Sequence, residues 1–416
     1  MNNFHNLPKN WQVKTLAEVC TSKNSNIVLS SIENNTGKYP IYGAKGLLKT
    51  IDFYTIENES LGIVKDGAGV GRIFLLPEKS SLIGTMAYIQ ANKNLNLKYL
   101  YHFLHTINFN QYISGSAIPH IYFRDYKKEK IPLPPLEVQK AIVEKLENAF
   151  AHIDEAVRHL KSVQTNIPRL KSSLLHSAFS GKLTESQNQS HEVQTLKSVV
   201  GEGGETSPFK PPHPLIKTEI PQGWEVKTLG EITNYGKTTQ KQPKDLKPDD
   251  WILELEDIKK ESGVLLNKIV FKDRQSKSNK IIFHKGDVLF GTLRPYLKKV
   301  IIADDDGYCS SEIMPFNSGN EITNRYLAYL FLSDFMGNKI AMLTYGTRMP
   351  RLGTKNGKEL PIPLPPLATQ NQIVQILESK FAHLEKLEQF VNASLENLQK
   401  LKSSLLNQAF KGELIC

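Results

Sequence analysis

Cysteine is nearly absent from this chain of 416 residues: Cys20, Cys309 and Cys416 are its only three, widely separated. Scattered thiols exclude a disulfide framework and a cysteine–zinc site, and they suit a reducing compartment. No apolar run approaches membrane-spanning length. Met1–Lys14 has neither the apolar core of a secretion signal nor an Arg-rich transit character. The expectation is a cytoplasmic protein with no membrane partner. Acidic residues are the scarcer charge: 52 Lys and Arg face 42 Asp and Glu, a net +10 with a pI near 9.2. That excess points to a polyanionic partner. Hydrophobic content of 40% leaves room for two or three ordinary cores.

Catalytic signatures are missing too. Lys65-Asp-Gly-Ala-Gly-Val-Gly71 looks like a nucleotide-binding glycine loop, but it leads into the strand-like Arg72–Leu76 where a dinucleotide fingerprint needs a helix. It is read as a β-turn. Gly236-Lys237-Thr238 would need glycine at 231 to form a phosphate loop, and Glu231 stands there. Pro248-Asp249…Asp257-Ile-Lys259 loosely fits a nuclease pattern of metal-binding carboxylates and a lysine, a short pattern that arises easily by chance. His102 and His105 have no further ligand at useful spacing. Neither Leu-Pro-Pro-Leu tetrapeptide carries the amide or acid with which an amino-methyltransferase grips its target. No catalytic residue and no metal ligand is assigned.

The chain does contain a large repeat. Ile131–Leu183 returns without gaps as Ile362–Leu414, an offset of 231 residues, with 25 of 53 positions identical. Each copy reads as one long helix with an a/d heptad seam. The first seam runs Ile142, Leu146, Ala149, Ile153, Ala156, Leu160, Val163, Ile167, Leu170, Leu174. The second runs Ile373, Leu377, Leu384, Leu387, Val391, Leu398, Leu401, Leu405. Leu-Pro-Pro-Leu marks each start, and Gly181 and Gly412 mark the ends. Pro168 is expected to kink the first helix locally. A run of about 45 residues spans roughly 65–70 Å. Neither seam can be buried alone, so the copies are expected to pack on each other. Helix packing and partner docking are assigned to Leu146, Phe150, Ile153, Leu160, Leu170, Leu174, Leu377, Phe381, Leu384, Leu398, Leu401 and Leu405.

The openers repeat as well: Leu7–Val19 and Ile220–Ile232 share seven of thirteen positions, at an offset of 213. The segments between opener and helix diverge, and the second is longer by 18 residues, the difference between the two offsets. Strands are expected at Tyr39–Tyr42, Leu61–Val64, Arg72–Leu76 and Met86–Gln90, with a helix at Leu97–Ile107. Their counterparts are Trp251–Leu255, Lys268–Phe271, Asp287–Gly291, Lys299–Ala303 and a helix at Arg325–Leu343. The turns Gly115–Pro119 and Gly346–Pro350 keep the 231 offset. The fold class is α+β: two domains with mainly antiparallel or mixed sheets, separated by two long helices packed as an antiparallel coiled coil, in a pseudo-twofold repeat. The boundaries are 1–132, a spacer helix 133–184, a Ser-, Gln-, Gly- and Pro-rich linker 185–219, 220–362, and a second spacer helix 363–416.

Basic and aromatic residues cluster in the glycine-punctuated turns. Candidates for nucleic-acid contact are Lys45, Arg72, His120, Tyr122, Arg124, Lys237, Lys241, Arg294, Tyr296, Lys298, Arg348 and Arg351. Arg and Lys contact phosphates anywhere and read guanine edges from the major groove.

The phrases YPIYGAKGLL, IVKDGAGVGRIFLL, GDVLFGTLRPYLKKV and CSSEI, the two IPLPPL-x-x-Q helix starts and the two LKSSLL…AF-x-G helix ends resemble the specificity (S) subunit of type I restriction–modification enzymes. The resemblance covers essentially the whole chain. It implies two target-recognition domains, each reading half of a bipartite, asymmetric site in double-stranded DNA. The helices would act as a ruler between half-sites and as a platform for two methyltransferase (M) subunits that methylate adenine with S-adenosylmethionine. Restriction and translocase (R) subunits using ATP and Mg²⁺ would join them, and this chain would hold no cofactor and no active site. Three other readings remain: a specificity partner of a type IIB-like methyltransferase–nuclease, a metal-dependent nuclease built on Pro248–Lys259, and a coiled-coil scaffold that does not bind DNA.

Overall fold

The computed structural model describes residues 7–115, 117–185, 221, 223–274 and 276–414, so most of the linker 185–219 lies outside the described residues. The chain divides into two compact units, Met1–Ser162 with Val391–Cys416, and Val163–Phe390. Among the described residues, no helix is long and apolar enough to cross a membrane.

In the first unit, Gln12–Thr15 pairs antiparallel with Lys130–Leu133, bringing the two ends of the globular part together. A four-stranded sheet runs in the order Cys20–Asn24, Met86–Ala91, Ser60–Val64, Ile73–Leu76. A smaller sheet places Tyr39–Gly43 between Gly46–Ile51 and Ser81–Leu82, the last pair parallel. Every residue of Ser60–Val64 is buried, which is why its sequence is an apolar run with no alternation. Helix Leu97–Leu104 is capped by the Asn96 side chain and buries Tyr99, Leu100 and Phe103. That core also takes in Ile142, Leu146 and Phe410 from the long helices.

The second unit repeats the plan with more strands. Glu225–Thr228 pairs with Pro361–Leu364. A five-stranded sheet runs Gln240–Lys241, Lys280–Phe283, Gly307–Cys309, Trp251–Leu253, Ile269–Val270, and a three-stranded one runs Val300–Ile302, Val288–Gly291, Ile313–Phe316. The helix expected over Arg325–Leu343 is two helices, Asn324–Leu332 and Asp334–Leu343. They break at Ser333, whose side chain accepts from the Met336 amide and caps the second.

Hydrogen bonds locate the extra 18 residues. Tyr99 Oη donates to Pro132 O at 2.8 Å and Tyr326 Oη to Pro363 O at 2.9 Å. Tyr99 and Tyr326 are 227 apart. The offset therefore grows by 14 before these helices (227 − 213) and by 4 after them (231 − 227), where Asp334–Leu343 replaces the short turn Phe109–Tyr112.

The long helices are Leu136–Phe179 and Leu367–Lys411, the first running on through Pro168. Each start is anchored by a fully buried glutamine. Gln139 Nε2 donates to Pro134 O and Asn94 O while its Oε1 accepts from Asn96 N, and Gln370 repeats this with Pro365 O, Glu321 O and Thr323 N. In the first unit Lys145 Nζ donates to Leu414 O at 3.1 Å and Lys402 Nζ to Asp154, so the two helices run antiparallel. In the second unit Lys171 pairs with Glu388 at 3.8 Å while Phe179 shares a core with Leu377, again antiparallel. The heptad expectation of a closed seam is too strong. Leu146, Ile153, Ile167, Leu377 and Val391 are buried, but Val163, Leu387 and Leu401 are 37%, 37% and 46% exposed. Two helices without a covering layer leave part of each knob open to water.

Candidate nucleic-acid interface

In the second unit, strand Val288–Gly291 ends in a turn that Thr292 N starts by donating to Glu312 O at 2.8 Å. The loop Tyr345–Arg351 is bonded onto that turn: Leu352 N donates to Thr292 O at 2.9 Å and Arg294 N to Pro350 O at 2.7 Å. Bridges join Arg351 to both Leu293 and Tyr345. Turn and loop thus form one two-part surface, carrying Arg294, Tyr296, Arg348 and Arg351. Arg294 and Arg348 are exposed, Tyr296 is 55% exposed and Arg351 is half-buried.

The first unit repeats this wiring with other residues. Lys65 N donates to Thr85 O at 3.0 Å, Ile121 N to Lys65 O at 2.9 Å and Gly67 N to Pro119 O at 2.9 Å, and His120 bridges Asp66 and Ser114. The glycine run 65–71 is therefore a turn, as its sequence suggests. Around it, Arg72 Nη1 donates to Ala44 O at 2.7 Å beside exposed Lys45. The Arg124 guanidinium lies 4.6 Å from the Tyr122 ring centroid, and the rings of His120 and Tyr122 are 5.2 Å apart.

Other candidates lie elsewhere. The Lys298 ammonium is ion-paired with Asp334 and only 14% exposed, so it holds the turn to the helix behind it. Lys241 donates to Tyr308 Oη at 3.0 Å and lies over that ring, on the strand Gln240–Lys241 at one end of the five-stranded sheet; Lys237 is exposed nearby in sequence. Among the helix residues, Leu160, Leu170, Leu174, Phe150, Phe381, Leu384, Leu398 and Leu405 are half-buried.

Beside the second unit's turn lies an open cleft of about 590 Å³, lined by Glu254, Glu256, Arg274, Arg294, Glu312 and Met349 among others. Its floor is ionic. Arg274 Nη2 donates to Asp257 Oδ1 at 2.8 Å, and Lys280, 1% exposed, donates to Glu254 Oε1 at 2.7 Å. The Asp257 carboxylate beside Arg274 pushes that guanidinium still further toward its charged form. This corrects the nuclease pattern. Asp257 is 1% exposed and committed to Arg274 and the Glu254 amide, while Asp249 pairs with Lys272 at 2.9 Å. Among the described residues, no group of three His, Cys, Asp or Glu side chains could hold a metal ion.

Composition reasoning overlooked two apolar side chains. Ile118 and Met349, at the same place in the two repeated loops, are 64% and 54% exposed. The 231 offset already puts them in register, but an apolar residue in a turn carries no polar signal. The cleft glutamates were missed because they sit in turns that are widely separated in sequence, Glu254 and Glu256 after Trp251–Leu253 and Glu312 before Ile313–Phe316.

A family model described as "Type I restriction modification DNA specificity domain" matches residues 8–162 and 221–397. Two curated relatives align over most of their length. The Escherichia coli type I restriction enzyme EcoDI specificity subunit is 24% identical over 412 residues, covering 98% of this chain and 89% of that one. The Methanocaldococcus jannaschii type I restriction enzyme MjaVIII specificity subunit is 24% identical over 446 residues, covering 98% and 94%. Two solved structures share the fold. The HsdS subunit from Thermoanaerobacter tengcongensis has a TM-score of 0.58 at 18% identity, covering 98% of each chain. A chain described under "Structural basis underlying complex assembly and conformational transition of the type I R-M system" has a TM-score of 0.69 at 17% identity, covering 98% and 99%.

Proposed function

The chain belongs to the family of type I restriction–modification DNA specificity domains, and from that membership we propose how its parts divide the work. Each unit reads one half of a bipartite, asymmetric site in double-stranded DNA through its turn-and-loop surface. The long helices set the gap between half-sites and dock two M subunits, which methylate adenine with S-adenosylmethionine. R subunits using ATP and Mg²⁺ complete the complex. The chain itself is a non-catalytic recognition subunit working in the cytoplasm.

The observation that carries this reading is the repeated wiring of turn to loop. The same backbone bonds recur in both units while the side chains on them differ, Gly67 against Arg294 and His120 against Arg351. A constant frame with variable side chains suits two half-sites of different sequence. Exposed Arg and Lys supply the salt-dependent phosphate term, and base edges in the groove supply the discrimination. Asp257, the central carboxylate of the nuclease alternative, is occupied by Arg274, so recognition is favoured over cleavage by this chain.

The test is co-expression with the methyltransferase gene from the same locus, followed by single-molecule sequencing for modified adenines. The expected result is methylation confined to one split, asymmetric motif. Absence of motif-specific methylation with an active M subunit present would overturn the reading. A partner gene encoding a fused methyltransferase–nuclease would move the assignment to the type IIB-like system.

A further inference from the structure

The turn that carries the second unit's candidates is strained where the first unit's is relaxed. In the first unit, Gly67 and Gly71 sit at φ +92° and +84°, and Val70 N donates to Gly67 O at 3.1 Å. In the second unit the matching bond runs from Leu297 N to Arg294 O at 3.0 Å, and the matching left-handed positions are Arg294, φ +49°, and Lys298, φ +45°. The turn therefore requires two left-handed residues, and the first unit meets that with glycine. The second places long basic side chains there, where a Cβ opposes the backbone.

Lys298 has a structural reason. Its ammonium reaches Asp334, which also accepts from Ser172. Arg294 has none: its guanidinium is exposed and has no hydrogen-bond or ion-pair partner among the described residues. Sterically the position does not ask for a side chain, since a Cβ at Gly67 meets nothing within 4 Å. The Arg294 backbone is fixed by Pro350 O, and the residue lies at the cleft that Glu254, Glu256 and Glu312 also line. Two of those carboxylates are already paired, Glu254 with Lys280 and Glu256 with Arg274, which leaves the planar Arg294 fork free to meet a base edge.

We propose that Arg294 is a specificity-determining residue that reads a guanine in the half-site bound by the second unit, and that the left-handed backbone is held to aim it. This rests on the recognition reading above. Arginine's planar fork matches the O6 and N7 acceptors of guanine in the major groove, which lysine's point charge cannot match bidentately.

The test uses the full chain co-expressed with its methyltransferase subunits, comparing Arg294→Gly, Arg294→Asn and Arg294→Lys with the parent by methylated-motif sequencing and thermal melting. Glycine and asparagine both tolerate the left-handed backbone, so the folded state survives in at least one of them. The expected result is that all three variants relax one G·C position in one half-site and leave the other half-site intact. Affinity for the parent motif should fall roughly ten- to hundred-fold, with melting unchanged or raised for Arg294→Gly. An unchanged motif in Arg294→Gly overturns the proposal. So does uniform weakening across all sequences rescued by Arg294→Lys, which marks a phosphate contact. A parent complex that yields no motif overturns the recognition reading itself, and this proposal with it.

Discussion

Phe410 lies edge-on against Tyr99, ring centroids 5.0 Å apart, and against Phe103 at 5.3 Å. These rings come from opposite halves of the sequence, yet they share one core. In the second unit Phe179 meets Tyr326 in the same way at 5.3 Å. Each domain is thus closed by the tail of the helix that starts on the other domain. Phe410→Ala is expected to destabilise the first unit by about 3–5 kcal/mol, the usual cost of emptying a buried aromatic site. Denaturation followed at Trp11, with Trp224 and Trp251 replaced by Phe, isolates that unit. A change below about 1 kcal/mol would show that the tail is a passive cover.

The repeated helices were legible because their signal is dense: Ile142, Leu146 and Ile153 recur at heptad spacing and are all buried. The apolar strands between opener and helix were legible as well, Tyr39–Gly43, Ser60–Val64, Met86–Ala91 and Val288–Gly291 among them, whereas strands with little apolar pattern were not. Cys20–Asn24 reads Cys-Thr-Ser-Lys-Asn, and only its ladder with Met86–Ala91 makes it a strand. Lys280–Phe283 was missed because it opens with a lysine that is buried against Glu254. Arg294 could be named as a basic residue in a turn. Its left-handed backbone could not, since Leu-Arg-Pro-Tyr-Leu-Lys shares no residue pattern with the glycine turn that it matches bond for bond.

His102 gives the first unit a pH dependence of definite sign. Burial against Phe150 pushes its pKa down to about 4; nearby Glu147 opposes this, while His105 and Lys98 add to it. The unfolded chain takes up a proton below about 6.5, and the folded domain only near 4. The stability contribution is therefore complete above about pH 6.5, is lost as pH falls from there toward 4, and is bounded at about 3 kcal/mol. His102→Leu should flatten that part of the profile in denaturation measured from pH 4 to 7. A difference between parent and variant that does not change over this range would contradict the assignment.

The loops 114–120 and 345–351 turn on glycines with φ +90° at Gly115 and +92° at Gly346. A Cβ at Gly346 would meet Met349 O at 3.2 Å, and at Gly115 it would meet Ile118 O at 2.4 Å. Both loops lie on the surface, so Gly346→Ala is expected to cost only about 1–2 kcal/mol of stability. It should nevertheless move Arg348 and Met349 and weaken binding at one half-site. Methylation rates on plasmids carrying single-base changes in each half-site would measure this. Equal loss at both half-sites would mean that the loops act through folding alone.

The ruler proposed for the long helices can be tested by length. One helical turn of four residues adds about 6 Å along the axis, against about 3.4 Å per base pair. Inserting four residues into both long helices, after Ser162 and before Val391 where the two units meet in sequence, should lengthen the gap in the methylated motif by one or two base pairs. The half-site sequences should stay the same, because the turn-and-loop surfaces are built entirely inside each unit. Insertion into one helix alone should leave the Lys402–Asp154 and Lys171–Glu388 pairs unable to keep one common antiparallel register, and should abolish methylation. Altered half-sites with an unchanged gap would mean that the helices do not set the spacing, and that DNA deformation or the partner subunits do.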